Sequence, residues 1–166
     1  MTVNYTTLLA LGQPVTGTEA GTWGDDVNNA VTSYLDIAIA GTLALTSSNF
    51  TAGALTLANT QGTSSATNIA STSAQYAVLK VSGLATNSTI TAPSSSRIYL
   101  VDNADSTYTI TVKASGQTGY TVATNTKALV YFNGTDYVLA STNDITKLTG
   151  TLGTRSEEHT SELQSR

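Results

Sequence analysis

The chain has 166 residues, of which 40% are hydrophobic and 11% are charged, and its formal net charge is −4 at pH 7. This length allows one domain, or one domain with an appendage, and the apolar content excludes a disordered chain. The absence of cysteine excludes disulfides and thiolate chemistry, and an acidic balance with few Lys and Arg argues against nucleic-acid binding. A low charge with many Thr and Ser is typical of a sheet protein whose solvent face carries hydroxyl groups.

The N-terminal residues show no targeting or membrane signal. The stretch MTVNYTTLLALG lacks a basic segment and has too short an apolar run for a signal peptide, and no window approaches transmembrane length. We therefore expect synthesis without a signal peptide and no membrane insertion. The turn-rich residues 12–24 contain the single tryptophan, Trp23. We interpret Trp23 as a packing anchor that fixes the turn before the next element, in preference to a ligand-stacking residue.

Residues 25–40 have the apolar periodicity of an amphipathic α-helix. Asp25 is placed to cap the first backbone N–H groups, and Gly41 is placed to end the helix. We expect the apolar face to dock either against the rest of the chain or against symmetry mates. This predicted assembly face comprises Val27, Ala30, Val31, Tyr34, Leu35 and Ala38.

The remainder of the chain has strand patterns. Segments such as QYAVLKVSG, RIYLVDN and TYTITVKAS alternate apolar and polar residues, and Asn133-Gly134 indicates a hairpin. No helical pattern separates the strands, so parallel βαβ units are disfavoured. We predict a mainly β fold, an antiparallel β-sandwich preceded by one amphipathic α-helix. The Ser/Thr-rich residues 60–74 are predicted as a loop or a weak edge strand, which leaves the strand count open there.

Four segments follow from these patterns. They are an N-terminal arm and helix (1–41), a β-sandwich domain (42–142), a linker or the start of a truncated further module (143–154), and a tail (155–166). The tail, RSEEHTSELQSR, resembles a translated sequencing adapter, and it holds three Glu where all preceding residues hold only Glu19. We interpret it as non-biological and expect that the natural protein continues differently after Thr154.

Candidate catalytic chemistry is sparse, because the only His lies in the tail. Asp102 and Asp136 could form the carboxyl pair of a glycosidase, and Asp102, Asn103 and Asp105 could offer oxygen ligands to calcium. Turn formation explains these residues better, since Asp and Asn favour turns. We therefore predict no enzyme, no cofactor and no metal site.

Two parts of the sequence carry a resemblance to a known family. GTEAGTWGDDVN, followed by a helix that ends DIAIAG, resembles the N-terminal region of tail-fibre and related virion proteins of marine bacteriophages. The segments YAVLKVSGLATNSTITAP, RIYLVDNADSTYTITVKASGQTGYTV and KALVYFNGTDYVLA are similar to a recurring β-domain of phage tail fibres. The resemblance implies a structural component of a virion tail fibre or tail appendage that supports host attachment and contacts other tail proteins. It also implies a homotrimer and offers no catalytic residues.

Other functions and assembly states stay open at this point. One alternative is a carbohydrate-binding β-sandwich module that holds host-surface glycans on tyrosine faces such as Tyr99, Tyr120 or Tyr131. A polysaccharide depolymerase is the weakest hypothesis, because the carboxylates are scattered. For assembly, three copies of the helix face could meet on an axis, or a monomer could use its helix to cover its own sandwich.

Overall fold

The computed structural model describes residues 3–18 and 20–140. The predicted linker at 143–154 and the adapter-like tail lie outside the described residues. The described chain starts with a short antiparallel hairpin of β1 (Val3–Tyr5) and β2 (Gly12–Pro14). The helix follows this hairpin, and two β-sheets follow the helix.

One helix of 18 residues connects the hairpin to the sheets. It consists of α1 (Trp23–Val27), a π-helical segment (Asn28–Thr32) and α2 (Ser33–Ala40). Because the helix begins at Trp23, Asp25 lies inside the first turn, where its charge suits the helix dipole, and is not the N-cap that we predicted. Gly41 ends the helix with an extended backbone, and a Cβ atom there would lie 2.6 Å from the Cα of Ile37.

The described strands after the helix form two sheets. The large sheet has five strands in the order β11-β10-β7-β5-β3, and the small sheet has four in the order β4-β6-β8-β9. The strands are β3 (Thr42–Leu45), β4 (Ala54–Thr56), β5 (Val78–Val81), β6 (Ser88–Thr91), β7 (Ile98–Asn103), β8 (Ile110–Lys113), β9 (Tyr120–Val122), β10 (Thr126–Phe132) and β11 (Tyr137–Leu139). A 3₁₀ turn, Ser47–Asn49, lies between β3 and β4.

The mainly β, sandwich-like fold confirms the predicted class, but the prediction of antiparallel pairing is wrong for much of it. From β3 to β8 the chain alternates between the sheets, so β3, β5 and β7 run parallel in the large sheet. In the same way β4, β6 and β8 run parallel in the small sheet. Between two parallel neighbours the chain passes through one strand of the opposite sheet, which brings it back to the end of the sheet where the first strand began. The connection therefore needs no crossover helix. Antiparallel pairing begins with β9, β10 and β11.

The core lies between the two sheets. One face of each strand is buried, Leu79 and Val81 on β5 and Ile110 and Val112 on β8, as the alternation of apolar and polar residues in the sequence indicates. On β7 the inward residues are Tyr99 and Val101. Each fully buried Val or Leu side chain contributes about 1.5–3 kcal/mol to folding. The alternation therefore fixes which face of each strand meets the other sheet.

Candidate functional site

The predicted assembly face packs largely inside the chain. Ala30 and Tyr34 are fully buried, and Leu35 is the one clearly exposed member of the face. Val27, Val31 and Ala38 are half-buried. The face contacts the Ser/Thr-rich segment before β5, where a Cβ atom on Gly62 would lie 2.2 Å from the Asn29 carbonyl oxygen. Part of the face therefore covers this chain itself.

The Ser/Thr-rich segment 60–74 forms a polar platform beneath the helix. It is a loop with isolated bridges and contains no assigned strand. The Tyr34 hydroxyl lies 2.6 Å from the Thr67 carbonyl oxygen and 3.0 Å from the Thr60 hydroxyl. The Thr60 hydroxyl in turn lies 2.7 Å from that of Ser73. The platform therefore supplies hydrogen-bond partners to the hydroxyl group of the buried Tyr34.

Trp23 is not the packing anchor that we predicted. Its side chain is 62% exposed and borders a shallow hollow beside Pro14 and Val15. The turn before the helix is therefore not held by burial of the indole ring.

A groove of about 510 Å³ lies between residues 8–9, the end of α2 and the starts of β5 and β7. We call it the arm groove. Its apolar lining includes Leu8, Ala38, Tyr76, Ile98, Tyr131 and Phe132, and its polar lining is Gln75, Ser96 and Arg97. No acidic side chain lines it.

Arg97 links Leu8 of the N-terminal arm to Asn59 and Ala74. Its Nη2 donates to the Leu8 carbonyl oxygen at 2.9 Å and to the Asn59 side-chain oxygen at 2.8 Å. Its Nη1 donates to the Ala74 carbonyl oxygen and contacts the Tyr99 hydroxyl at 3.4 Å. Arg97 is buried, yet every one of these acceptors is neutral.

Gln75, which directly follows the platform, also binds the N-terminal arm. Its Nε2 donates to the Leu9 carbonyl oxygen at 3.0 Å and to the Thr60 carbonyl oxygen at 2.8 Å. Sequence reasoning missed both Gln75 and Arg97. The position of Arg97 could have been predicted from the sequence. It lies two residues before the buried Tyr99, and residues two apart in a strand point to the same face.

Buried tyrosines lie next to the guanidinium. The Tyr99 ring centroid is 5.9 Å from the Arg97 Cζ and 5.8 Å from the Tyr137 ring centroid. Burial raises the pKa of the Tyr99 and Tyr137 hydroxyls, although the charge of Arg97 opposes that shift. Tyr99 is fully buried and therefore offers no face to a glycan, which corrects that part of the carbohydrate hypothesis.

The carboxylates that we considered for catalysis or calcium stabilise turns or pair with a cation. The Asp105 carboxylate accepts backbone hydrogen bonds from Thr107, Tyr108 and Leu84, which lower its pKa. Asp102 pairs with the Lys127 ammonium at 2.5 Å. In residues 3–18 and 20–140 no group of three or more His, Cys, Asp or Glu residues is placed to hold a metal ion.

Asp136 stabilises the C-terminal hairpin. Burial opposes ionisation of its carboxyl group, but backbone N–H groups of Ala114, Gly119 and Tyr137 outweigh burial and lower its pKa. The Asn133 side-chain oxygen also accepts the backbone N–H of Asp136 at 3.0 Å, within the predicted Asn-Gly turn. Neither Asp102 nor Asp136 is left without a structural contact.

The outer face of the large sheet is apolar at its centre. Leu100 on β7 is paired with Leu129 on β10, and Ile98 is paired with Tyr131. All four side chains are exposed, Ile98 by 62%. We call these four residues the outer apolar face.

Comparison of the chain with models of protein families, with curated proteins and with solved structures finds no match. Among the described residues, no helix combines the length and apolar character required to cross a membrane.

Proposed function

We propose that this chain is a structural component of a bacteriophage tail fibre or tail appendage that supports host attachment. The proposal starts from the resemblance of GTEAGTWGDDVN and of the β-region to fibre proteins. The observation that carries it furthest is the outer apolar face of the large sheet. We propose that the chain acts in the virion tail as a homotrimer, in contact with other tail proteins.

The outer apolar face suits a subunit that packs against another protein. Leu100 and Leu129 are directly opposed across neighbouring strands, so their exposed side chains form a contiguous patch. Contiguous exposed apolar patches mark contact surfaces more often than isolated apolar residues do. The exposed Leu35 and Ile39 on α2, the latter 78% exposed, add apolar surface outside the sandwich.

A structural role also fits the carboxylates. Asp105 and Asp136 accept backbone hydrogen bonds, and Asp102 pairs with Lys127. A glycosidase needs two carboxyl groups that face each other across a substrate cleft and are available to it. We therefore propose no catalytic role for them.

The proposal can be tested on purified particles of a phage whose genome encodes the chain. We expect mass spectrometry to detect peptides from residues 42–140 in the particles, and immunogold labelling to mark the tail. Flanking genes for capsid, portal or tail-tube proteins would agree with this. Absence of the peptides from purified particles would contradict the proposal.

A second candidate is a carbohydrate-binding module. Its support is the partly exposed Tyr131 ring, which borders the arm groove together with Tyr76 and Phe132. Aromatic rings beside a groove can stack on sugars. A glycan array on the isolated chain separates the two candidates, because a structural fibre component requires no glycan signal and a carbohydrate-binding module does.

A further inference from the structure

We propose that the arm groove binds a small molecule that joins a carboxylate to an apolar body, with Arg97 receiving the carboxylate. The groove shares Ile98 and Tyr131 with the outer apolar face, but the proposed binding does not depend on the tail-fibre role. The ligand class is an alkyl or aryl monocarboxylate.

The dimensions and the lining of the groove fit such a molecule. Its volume of about 510 Å³ lies within the usual range for ligand sites, roughly 300–1,000 Å³. Aliphatic side chains from residues 8–9, α2 and β7 (Leu8, Leu9, Ala38 and Ile98) line it together with aromatic rings. A hydrocarbon chain or an aromatic ring gains free energy from contact with such a surface.

The charge in the groove points to an anion. Arg97 is buried, and buried charges are usually paired with an opposite charge. The one ion pair within the described residues joins Lys127 to Asp102, so Arg97 has only neutral acceptors there. A carboxylate in the groove would supply the missing negative charge and could accept a charge-assisted hydrogen bond from Arg97.

A donor remains available for this contact. The Nη1 and Nη2 groups of Arg97 donate to four oxygen atoms, whereas its Nε–H has no hydrogen bond within the described part of the chain. The exposed Ser96, the neighbouring residue in the groove, adds a hydroxyl group. Because the other Arg97 hydrogen bonds hold the side chain in place, a ligand would not need to order it on binding.

The lining favours a carboxylate over a neutral sugar. A sugar exposes hydroxyl groups around its whole ring, and each one that is buried without a partner costs free energy. The polar side chains that line the groove are Gln75, Ser96 and Arg97, and Gln75 already donates to two carbonyl oxygens. The polar groups that remain for a ligand are on the neighbouring residues Ser96 and Arg97, which matches a ligand with one polar end.

Calorimetric titration of the full chain with three probes tests the ligand class. We expect decanoate to bind, and decanol to bind roughly tenfold or more weakly, because it cannot form the charge-assisted hydrogen bond. Glucuronate, a carboxylate on a sugar, should bind more weakly than decanoate because it lacks the apolar body. Equal binding of decanoate and decanol would overturn the role of Arg97, and absent decanoate binding or preferred glucuronate binding would overturn the ligand class.

Two tryptophan variants test the location. Ser96→Trp places a large ring in the groove and should abolish decanoate binding. Ser115→Trp changes an exposed serine in a turn that does not line the groove, and this variant should bind like the unmodified chain. Decanoate binding that survives in Ser96→Trp would overturn the assignment to this groove.

A third variant tests the guanidinium itself. Arg97→Lys keeps the charge but loses the Nε–H group, and we expect weaker decanoate binding with decanol binding unchanged. Its melting temperature is measured alongside, since Arg97 also holds the arm. If both probes lose affinity equally in this variant while the fold is retained, Arg97 does not receive the carboxylate.

Discussion

Gly62 lies directly against the helix backbone at Ala30, so closely that a Cβ atom on Gly62 would sit 2.7 Å from the Ala30 Cα. Gly12 of the N-terminal hairpin is also close to this residue, and a Cβ atom on Gly12 would sit 2.6 Å from the Ala30 Cβ. Ala30 is fully buried between these two glycines, in the π-helical segment. The helix is therefore held between the N-terminal hairpin and the Ser/Thr-rich platform through close contacts that leave no space for larger residues.

Substitution of Gly62 by alanine should destabilise the protein. The added methyl group would meet the Asn29 carbonyl oxygen, and overpacking of this kind costs typically about 1–3 kcal/mol. We expect a lower midpoint of urea unfolding. Gly24→Ala is the matched control, because a Cβ atom there has no neighbour within 4 Å, and it should not lower stability. Equal stability of Gly62→Ala and the unmodified chain would contradict the close packing.

Removal of the Tyr34 hydroxyl should weaken the docking of the helix. Tyr34→Phe loses the hydrogen bond to the Thr67 carbonyl oxygen and leaves that oxygen unsatisfied, which costs about 1–3 kcal/mol. Thermal unfolding followed by circular dichroism measures the effect. Tyr131→Phe serves as the control, since Tyr131 is exposed and its hydroxyl makes no hydrogen bond within the described residues. A similar loss in both variants would show that the Tyr34 hydroxyl has no special role.

Acid should destabilise the chain through Asp105 and Asp136. The pKa of each carboxyl group is lower in the folded chain than its ordinary value, because backbone N–H groups stabilise the carboxylate. Their contribution is therefore full above the unfolded pKa, roughly 3.9, and is lost as pH falls through the folded values. We expect the free energy of unfolding to fall as the pH drops below about 4.

Asparagine variants identify the source of this acid effect. Asp105→Asn and Asp136→Asn should be less stable near neutral pH and should show a flatter dependence on pH. Asp36→Asn, which changes an exposed helix carboxylate, controls for the loss of one negative charge. An unaltered pH dependence in both turn variants would assign the acid effect to other groups.

Two sets of substitutions separate the possible assembly surfaces. Leu100→Thr with Leu129→Thr removes the centre of the outer apolar face while it retains residues that favour strands. If this face mediates self-association, light scattering should report a smaller mass for the double variant. Val31→Asp with Leu35→Asp tests the helix face, although Val31 is half-buried within the chain. A monomeric mass for the unmodified chain at tens of micromolar would contradict self-assembly through either surface.

Only part of the candidate site could be predicted from the sequence. The predicted turn residues Asn133 and Asp105 do form hydrogen bonds within their own turns, because such contacts are local. Arg97 contacts Leu8 and Asn59, which are 89 and 38 positions away, and no local pattern encodes those contacts. For Trp23 the prediction from the sequence was wrong, because its large apolar side chain suggested burial but is exposed in the structure.

The helix, the main strands and the alternation of buried and exposed residues along each strand could be predicted from the sequence. These features follow from the periodicities of 3.6 and 2 residues, which depend on backbone geometry within one element. The pairing of the strands could not be predicted in this way. A strand with alternating side chains presents the same apolar face whether its neighbour runs parallel or antiparallel, so alternation could not reveal that β3, β5 and β7 are parallel. The direction of these strands follows from the path of the chain between the two sheets. Contacts between residues far apart in the sequence bring the arm, the platform and Arg97 together around the groove.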